Sequence, residues 1–470
     1  MVNVEKESQY LKNLLQAKGI LVEEKNVGLL NILCETKEIK ESFESIVLIQ
    51  DKMINAWKRN LKISDFVNSP ISIPNATVGK PYTHKFDFST EPFKGVKILS
   101  VTGQDLTIGF DSDASTITST FDNPGQFKIE LSFKLEEDLS DEIAGVKVVK
   151  ILVNPDPKSL WKNLDSDRTD PYWKEDNTSA SGILGTKKFI VGSKRGRSHA
   201  HEGIFRDDDF AFNFSEETGW GIIAVADGAG SAKYSRKGSI LACDKVVDYF
   251  KNLPLEELTK LSEVITSELA ESNELNQKSI SSFCITHLGK AAFAALTAIK
   301  EEAVLKEAQV KDYSTTLIFA FVKEFGENMF VSSFWVGDGG IGIYSKDPNG
   351  VNLMGIPDSG EFSGQTRFLT MNEIFAENSY ISRIKYKIVD KSTKLVLMTD
   401  GITDAKFQTD AALEKIEVWN GFIADLEGSN EDDLAIDFAG DIKLSEENLM
   451  KWMDFWSPGN HDDRTIAILY

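Results

Sequence analysis

Four apolar runs in the second half of this 470-residue chain end or begin at aspartate, and that recurrence limits the fold more than any other feature. Gly221-Ile222-Ile223-Ala224-Val225-Ala226 runs into Asp227-Gly228-Ala229-Gly230, and Phe334-Trp335-Val336 runs into Gly337-Asp338-Gly339-Gly340. Leu395-Val396-Leu397-Met398-Thr399 runs into Asp400-Gly401-Ile402-Thr403-Asp404, and Gly459-Asn460-His461-Asp462-Asp463 precedes the run Thr465–Leu469. Short apolar runs of this kind read as buried strands. A carboxylate at the end of such a strand is costly unless it is paired, hydrogen-bonded or metal-bound. One Asp-Gly is an ordinary turn. Four such sites, three followed by glycine, predict carboxylates that converge on one cluster of hard cations. Glycine lets a backbone carbonyl approach where a Cβ would obstruct it. Oxygen-only ligands, without cysteine and with little histidine, favour Mg²⁺ or Mn²⁺ over zinc.

The rest of the chain is organised around this half. Residues 1–68 read as a helical element for packing or oligomerisation. Leu11, Leu14 and Leu15 form one stripe, and Ile39, Phe43, Ile46, Val47, Met53, Ile54 and Trp57 recur at the spacing of a buried helical face. At Pro70 the period changes. Phe127, Ile129, Leu131, Phe133 and Leu135 alternate with polar residues, Val146, Val148 and Ile151 lie in a second β-rich run, and turn residues separate the runs. This predicts an immunoglobulin-like sandwich over residues 69–154, acting as a spacer or protein-binding module. Residues 155–184, opening at Pro155-Asp156-Pro157 and passing through polar WKEDNTSASG, read as a linker. Within 185–470, strands are expected at 187–192, 219–226, 314–322, 329–336, 394–399 and 464–470. Helices are expected near 238–252, 255–272 and 283–307. Consecutive long helices between strands argue for sheets covered by helix pairs, an α+β architecture.

Charge narrows the partners. Asp and Glu number 73 against 52 Lys and Arg, a net −21 that repels phosphate backbones and disfavours a nuclease or any nucleic-acid binder. Three cysteines, Cys34, Cys243 and Cys284, make neither a disulfide framework nor a zinc site. The N-terminus lacks a signal peptide's apolar core and no run reaches 18 apolar residues, so no membrane partner and a reducing, cytoplasmic location are expected.

The segment 185–470 resembles the metal-dependent PP2C-type (PPM) serine/threonine phosphatases, in particular a divergent bacterial branch. The residues that carry the resemblance are Ser198-His199 followed by Asp207-Asp208, then Ala226-Asp227-Gly228-Ala229-Gly230-Ser231-Ala232-Lys233-Tyr234-Ser235. Ser314-Thr315-Thr316-Leu317, Val336-Gly337-Asp338, Thr399-Asp400-Gly401-Ile402-Thr403-Asp404 and Asp462-Asp463-Arg464-Thr465 continue it, with Gly360-Glu361-Phe362 and Gln365-Thr366. The resemblance implies a PP2C-like α-β-β-α sandwich of two antiparallel sheets flanked by helices. It implies that Asp227 bridges two Mn²⁺ or Mg²⁺ ions, that the Gly228 carbonyl binds the second, and that Asp400 and Asp462 hold the first. Asp207 and Asp208 stand at the family's early acidic pair, with Asp209 leaving the register open by one residue. A third, weaker ion is implied near Asp338, Asp400 and Asp404. Two divalent ions about 3.5–4 Å apart can ready a water for in-line attack on phosphorus, so the implied reaction is direct hydrolysis of phosphoserine or phosphothreonine in a protein substrate. Asp358–Ser379 corresponds to the family's variable flap. The resemblance also implies company with a Ser/Thr kinase and a von Willebrand A-type protein.

The chain departs from the family at two places. The phosphate-clamping arginine five residues before the early aspartate is Gly203 here, which leaves Arg195, Arg197 or Arg206 to bind phosphate. The histidine after Asp-Gly is Ala229. His199 is the candidate catalytic acid in its stead, a structural hydrogen-bonding role being the other reading, with His461 behind it. Ser235, Ser314, Thr315 and Thr316 have no His-Asp partner and read as structural. The rival to an active phosphatase is a catalytically silent PP2C-like module that binds phosphoprotein or acts as a scaffold.

Overall fold

The computed structural model describes residues 4–104, 106–347, 350–358 and 366–470. Gly360, Glu361, Phe362 and Gln365, part of the resemblance and of the expected flap, lie outside the described residues. The chain divides into two units, Met1–Leu160 and Trp161–Tyr470.

The first unit opens with helices α1 (Val4–Ala17), α2 (Val27–Glu35) and α3 (Lys37–Asn68). Strands β1 (Ala76–Thr77), β2 (Pro81–Lys85), β3 (Val96–Gly103), β4 (Ile108–Asp111), β5 (Thr116–Thr120), β6 (Gly125–Leu135) and β7 (Gly145–Asn154) follow. They form two sheets, β1-β7-β6-β3 and β2-β5-β4, around one core. Alternation in β6 puts Ile129, Leu131, Phe133 and Leu135 inward, all fully buried. The C-terminal end of α3 joins this core through Phe66. Its last carbonyls are satisfied by Lys147 of β7, whose buried ammonium donates to the carbonyls of Phe66 (2.7 Å), Val67 (3.0 Å) and Ser69.

The expected burial of the α3 stripe is corrected here. Phe43 is buried and Ile39 and Ile46 are half-buried, but Val47, Met53, Ile54 and Trp57 are exposed. A periodic pattern identifies an apolar face without saying what covers it, and α3 packs on the sheet through the opposite side.

The second unit contains strands β8 (Asn177–Leu184), β9 (Lys187–Lys194), β10 (Asp209–Phe214), β11 (Trp220–Ala226), β12 (Leu317–Phe325), β13 (Asn328–Val336), β14 (Gly340–Tyr344), β15 (Val351–Gly355), β16 (Ile384–Asp390), β17 (Lys394–Met398) and β18 (Arg464–Leu469). Its helices are α4 (Arg197–Glu202), α5 (Ser235–Lys251), α6 (Leu255–Ala270), α7 (Glu274–Leu305), α8 (Asp400–Phe407), α9 (Ile416–Leu426) and α10 (Ile442–Trp452). The strands make a five-stranded sheet, β10-β11-β12-β13-β16, and a six-stranded sheet, β15-β14-β17-β18-β9-β8.

Each inner strand is apolar on both faces because both faces are covered. In β11, Ile223 and Val225 enter the core between the sheets, while Ile222, Ala224 and Ala226 face the core under α5 and α7. In β17, Leu395 and Leu397 enter the inter-sheet core, while Val396 and Met398 face the core under α8, α9 and α10. The layers are therefore helix, sheet, sheet, helix. Among the described residues α7 alone is long and apolar enough to cross a membrane by length and composition. Its Cys284, Leu288, Ala291, Ala295 and Ile299 are buried in the core.

The boundary of the expected linker is also corrected. Residues 177–184 are not linker but β8, paired antiparallel with β9 from Asn177 opposite Lys194 to Leu184 opposite Lys187. The polar, hydroxyl-rich composition of this segment hid an edge strand, which needs no apolar run.

Candidate active site

The ends of the central strands bring the acidic residues together. Asp227 follows β11, Asp338 follows β13, Asp400 follows β17, Asp207 and Asp208 lead into β10, and Asp462 and Asp463 lead into β18. One carboxylate oxygen from each of Asp227, Asp338 and Asp400 lies within 4.8 Å of the other two, and a ring nitrogen of His199 is grouped in the same way with Asp462 and Asp463.

Hydroxyls and backbone groups hold the Asp227 turn. The Asp227 amide donates to the Thr316 hydroxyl (2.8 Å), and the Asp227 carbonyl accepts from the Thr315 hydroxyl (2.8 Å) and the Thr316 amide (2.7 Å). Thr315 and Thr316 therefore brace the turn, while the Ser235 hydroxyl donates to the Ala232 carbonyl. A Cβ at Gly228 would stand 2.8 Å from the Asp207 carbonyl oxygen, so only glycine fits between the two acidic segments.

Asp208 is fully buried. One of its carboxylate oxygens accepts from the hydroxyls of Thr399 (2.9 Å) and Thr465 (2.7 Å). Oδ1 of Asp208, Asp338 and Asp400 is buried with no hydrogen-bond partner among the described residues. Burial, and then the neighbouring Asp463 carboxylate, raises Asp207 to about 6 and Asp208 to about 7. Burial, and then Asp400 and Asp208, pushes Asp227 well above the usual carboxylate range; burial, Asp338 and Asp462 do the same for Asp400. Asp338, Asp404 and Asp462 are raised as well, burial being the largest cause in each. Asp404 and Asp462 are the exposed members of the set.

Seven of these carboxyls carry raised affinities for protons, and three have an oxygen with no protein donor. Carboxylate oxygens crowded this way suit a hard divalent cation, which takes the place of the protons and accepts the unshared oxygen pairs. The donor set thus fits Mg²⁺ or Mn²⁺.

Asp463 is a role that sequence reasoning missed. Its buried carboxylate accepts from the Gly196 amide (2.6 Å), the Asp207 amide (2.5 Å) and His199 Nδ1 (3.0 Å). Burial by itself would raise its pKa, and the His199 hydrogen bond and charge, with the two amides, bring it below the ordinary value instead. In return, although burial lowers the His199 pKa, Asp463, Asp207 and Asp462 outweigh it and raise it to about 9. The Asp-Asp doublet was the only sequence sign of this role.

Lys174 was missed as well. Its ammonium donates to the Asp208 carbonyl (2.7 Å) and pairs with the Asp209 carboxylate (3.0 Å), tying down the acidic strand start. It lies in the segment expected to be linker. Trp161 lies there too, its ring 4.4 Å from that of His461 and 5.3 Å from that of His201.

The three arginines fare differently from the expectation that one faces phosphate. Arg195 donates to the carbonyls of Ile204 (2.9 Å) and Leu164 (2.7 Å) and pairs with Asp176 (3.2 Å). Arg206 donates to the carbonyls of Glu175 (3.2 Å) and Asp208 (2.6 Å) and to the Ser193 hydroxyl. Both are buried and committed to the scaffold. Arg197 is half-buried, donates to the Asp454 carbonyl and lies 5.7 Å over the Trp456 ring, with Nε unpartnered.

A family model described as protein phosphatase 2C matches residues 195–433, just over half of the chain. The chain belongs to the protein phosphatase 2C family. Solved structures similar to this family member include the catalytic domain of the serine/threonine protein phosphatase PstP in complex with 2 manganese ions, at 12% identity and a TM-score of 0.32, covering 62% of this chain and 98% of that one. RsbX in complex with magnesium is similar at 14% identity and a TM-score of 0.32, covering 62% and 98%. Serine/threonine phosphatase Stp1 from Staphylococcus aureus is similar at 11% identity and a TM-score of 0.36, covering 63% and 98%. No curated protein sequence matches this protein phosphatase 2C chain significantly.

Proposed function

We propose that the chain is an active protein phosphatase that hydrolyses phosphoserine and phosphothreonine in protein substrates with Mn²⁺ or Mg²⁺. The observation that carries this reading is the convergence of Asp227, Asp338 and Asp400 with two unpartnered buried oxygens among them. Asp227, Asp400 and Asp462 would hold one ion, Asp227 with the Gly228 carbonyl, Asp207 and Asp208 a second, and Asp338 with Asp400 and Asp404 a third. Bound there, the cations would supply the positive charge that acidifies a water and offsets the phosphoryl oxygens. The chain's own part is to orient and to move protons. Asp463 holds His199 Nδ1 and keeps the ring charged at neutral pH, so Nε2 can protonate the departing serine or threonine oxygen. Of the three arginines Arg197 is the least buried, and it would exchange its pairing with the Asp454 carboxylate (3.4 Å) to meet phosphate. The two sheets around one core, with β1 parallel to β7, support an immunoglobulin-like reading of residues 69–154 as a protein-contact module. The kinase and the von Willebrand A-type protein form no part of the proposal.

Hydrolysis of p-nitrophenyl phosphate and of a phosphothreonine peptide by the full chain with Mn²⁺ tests this. Activity is expected, and Asp227→Ala and Asp400→Ala are expected to abolish it while leaving the circular dichroism unchanged. Gly203 and Ala229, where the family's clamp and acid are missing, favour the silent scaffold as the second reading. Mn²⁺ binding without turnover of either substrate would establish that one.

A further inference from the structure

One face of α3, covered by α1 at Phe43 and touched by it at Gln50, whose Nε2 donates to the Tyr10 hydroxyl (3.5 Å), carries on toward Leu61 with the pattern of a helix seam. Val47, Ile54 and Leu61 recur at a spacing of seven, and Gln50 and Trp57 follow the first two by three residues, the a and d positions of a coiled coil. Met53 widens the stripe. Val47, Met53, Ile54, Trp57 and Leu61 are all exposed, Met53 at 68% and Trp57 at 69%. At the C-terminal end of the helix the other side is occupied by the sheet core through Phe66 and Ile63, while Leu48 and Ile49, off the stripe, are exposed too. Five neighbouring large apolar side chains on one helix face mark an interaction surface, where scattered single ones would not.

Charge selects the occupant. The e positions of this seam carry Asp51 and Lys58, one heptad apart and both exposed. Neither has an ion-pair partner within the chain among the described residues. In an antiparallel pair the e positions of the two helices face each other, so Asp51 would meet Lys58 of a second copy, and two-fold symmetry would repeat the contact. In a parallel pair e faces g, where Ile46, Met53 and Asn60 carry no charge. The complement of this face is therefore the same helix turned end for end.

We propose that two copies of the chain associate through α3, stripe against stripe and antiparallel, with Asp51 of each opposite Lys58 of the other. Light scattering and sedimentation of the full chain at micromolar concentration are expected to show twice the 52.3 kDa of one copy. Ile54→Glu is expected to give a monomer. Asp51→Lys, which turns both pairs repulsive, is expected to weaken the dimer about tenfold, and adding Lys58→Asp to it is expected to restore the wild-type association. These side chains are exposed, so far-UV circular dichroism stays unchanged. A wild-type monomer, a dimer indifferent to Ile54→Glu, or wild-type affinity in Asp51→Lys overturns the proposal. A wild-type monomer that instead binds phosphatidylcholine vesicles through this stripe also overturns it.

Discussion

The carboxyl cluster dominates at the scale of single residues. Asp207 at about 6, Asp208 at about 7, and Asp227, Asp338 and Asp400 above the usual range keep protons that the unfolded chain has released by about pH 4–5. A carboxyl whose folded pKa is raised makes the native state lose stability as pH climbs from the unfolded value through the folded one. In chelator, the Tm of the second unit is therefore expected to fall between about pH 5 and pH 7, and Mn²⁺ is expected to reverse the fall. Asp227→Asn and Asp400→Asn each relieve the crowding. Scanning calorimetry in chelator at neutral pH should show a Tm higher by about 2–4 °C, an effect of about 1 kcal/mol in a unit this size, with the response to Mn²⁺ lost. A Tm that drops in both variants would contradict the assignment of repulsion to these groups. Lys174→Met should lower Mn²⁺ affinity by about 10–100-fold, as loss of a group that orients ligands does. Calorimetric titration measures this, and Lys174→Arg should recover part of it.

Structural elements show what the sequence made legible and what it did not. The strands ending at Asp227, Asp338 and Asp400 were readable because both faces of each are buried, so each runs into its acid through consecutive apolar residues, Ile222–Ala226, Phe334–Val336 and Leu395–Met398. The acids were readable for the same reason: a charge directly after such a run needs an explanation. The roles of Thr399, Thr465 and Asp463 were not, because a buried hydroxyl that donates, or a buried carboxylate that accepts, within the fold has no periodic signature. Edge strand β8 looked like linker, and the free face of α3 looked like a buried one. Lys147 was equally silent. Its ammonium serves three carbonyls at the end of α3, so Lys147→Met leaves them without a donor inside the core. The expected cost is about 2–3 kcal/mol, read as a lower Tm for the first unit with the second unit's transition unmoved.

For the whole molecule, the boundary at Trp161 makes a direct prediction. A fragment of residues 161–470 keeps Trp161 against His461 and Lys174 against the Asp208 carbonyl. It is expected to fold and to bind Mn²⁺ as the full chain does. A fragment of residues 185–470, the boundary that composition suggests, lacks β8 and Lys174 and is expected to bind Mn²⁺ poorly. Equal binding by both fragments would remove the segment 161–184 from the site. The acids themselves come from both layers: Asp208, Asp227 and Asp338 adjoin strands of one sheet, and Asp400 and Asp462 adjoin strands of the other. Cations seated among them would rivet the two layers at one rim, where the greasy filling between the sheets cannot reach. Sliding of one layer over the other, which that filling resists only weakly because it has no direction, would then be stopped by charge, and any lateral slip would pull the binding set apart before it disturbed a single strand.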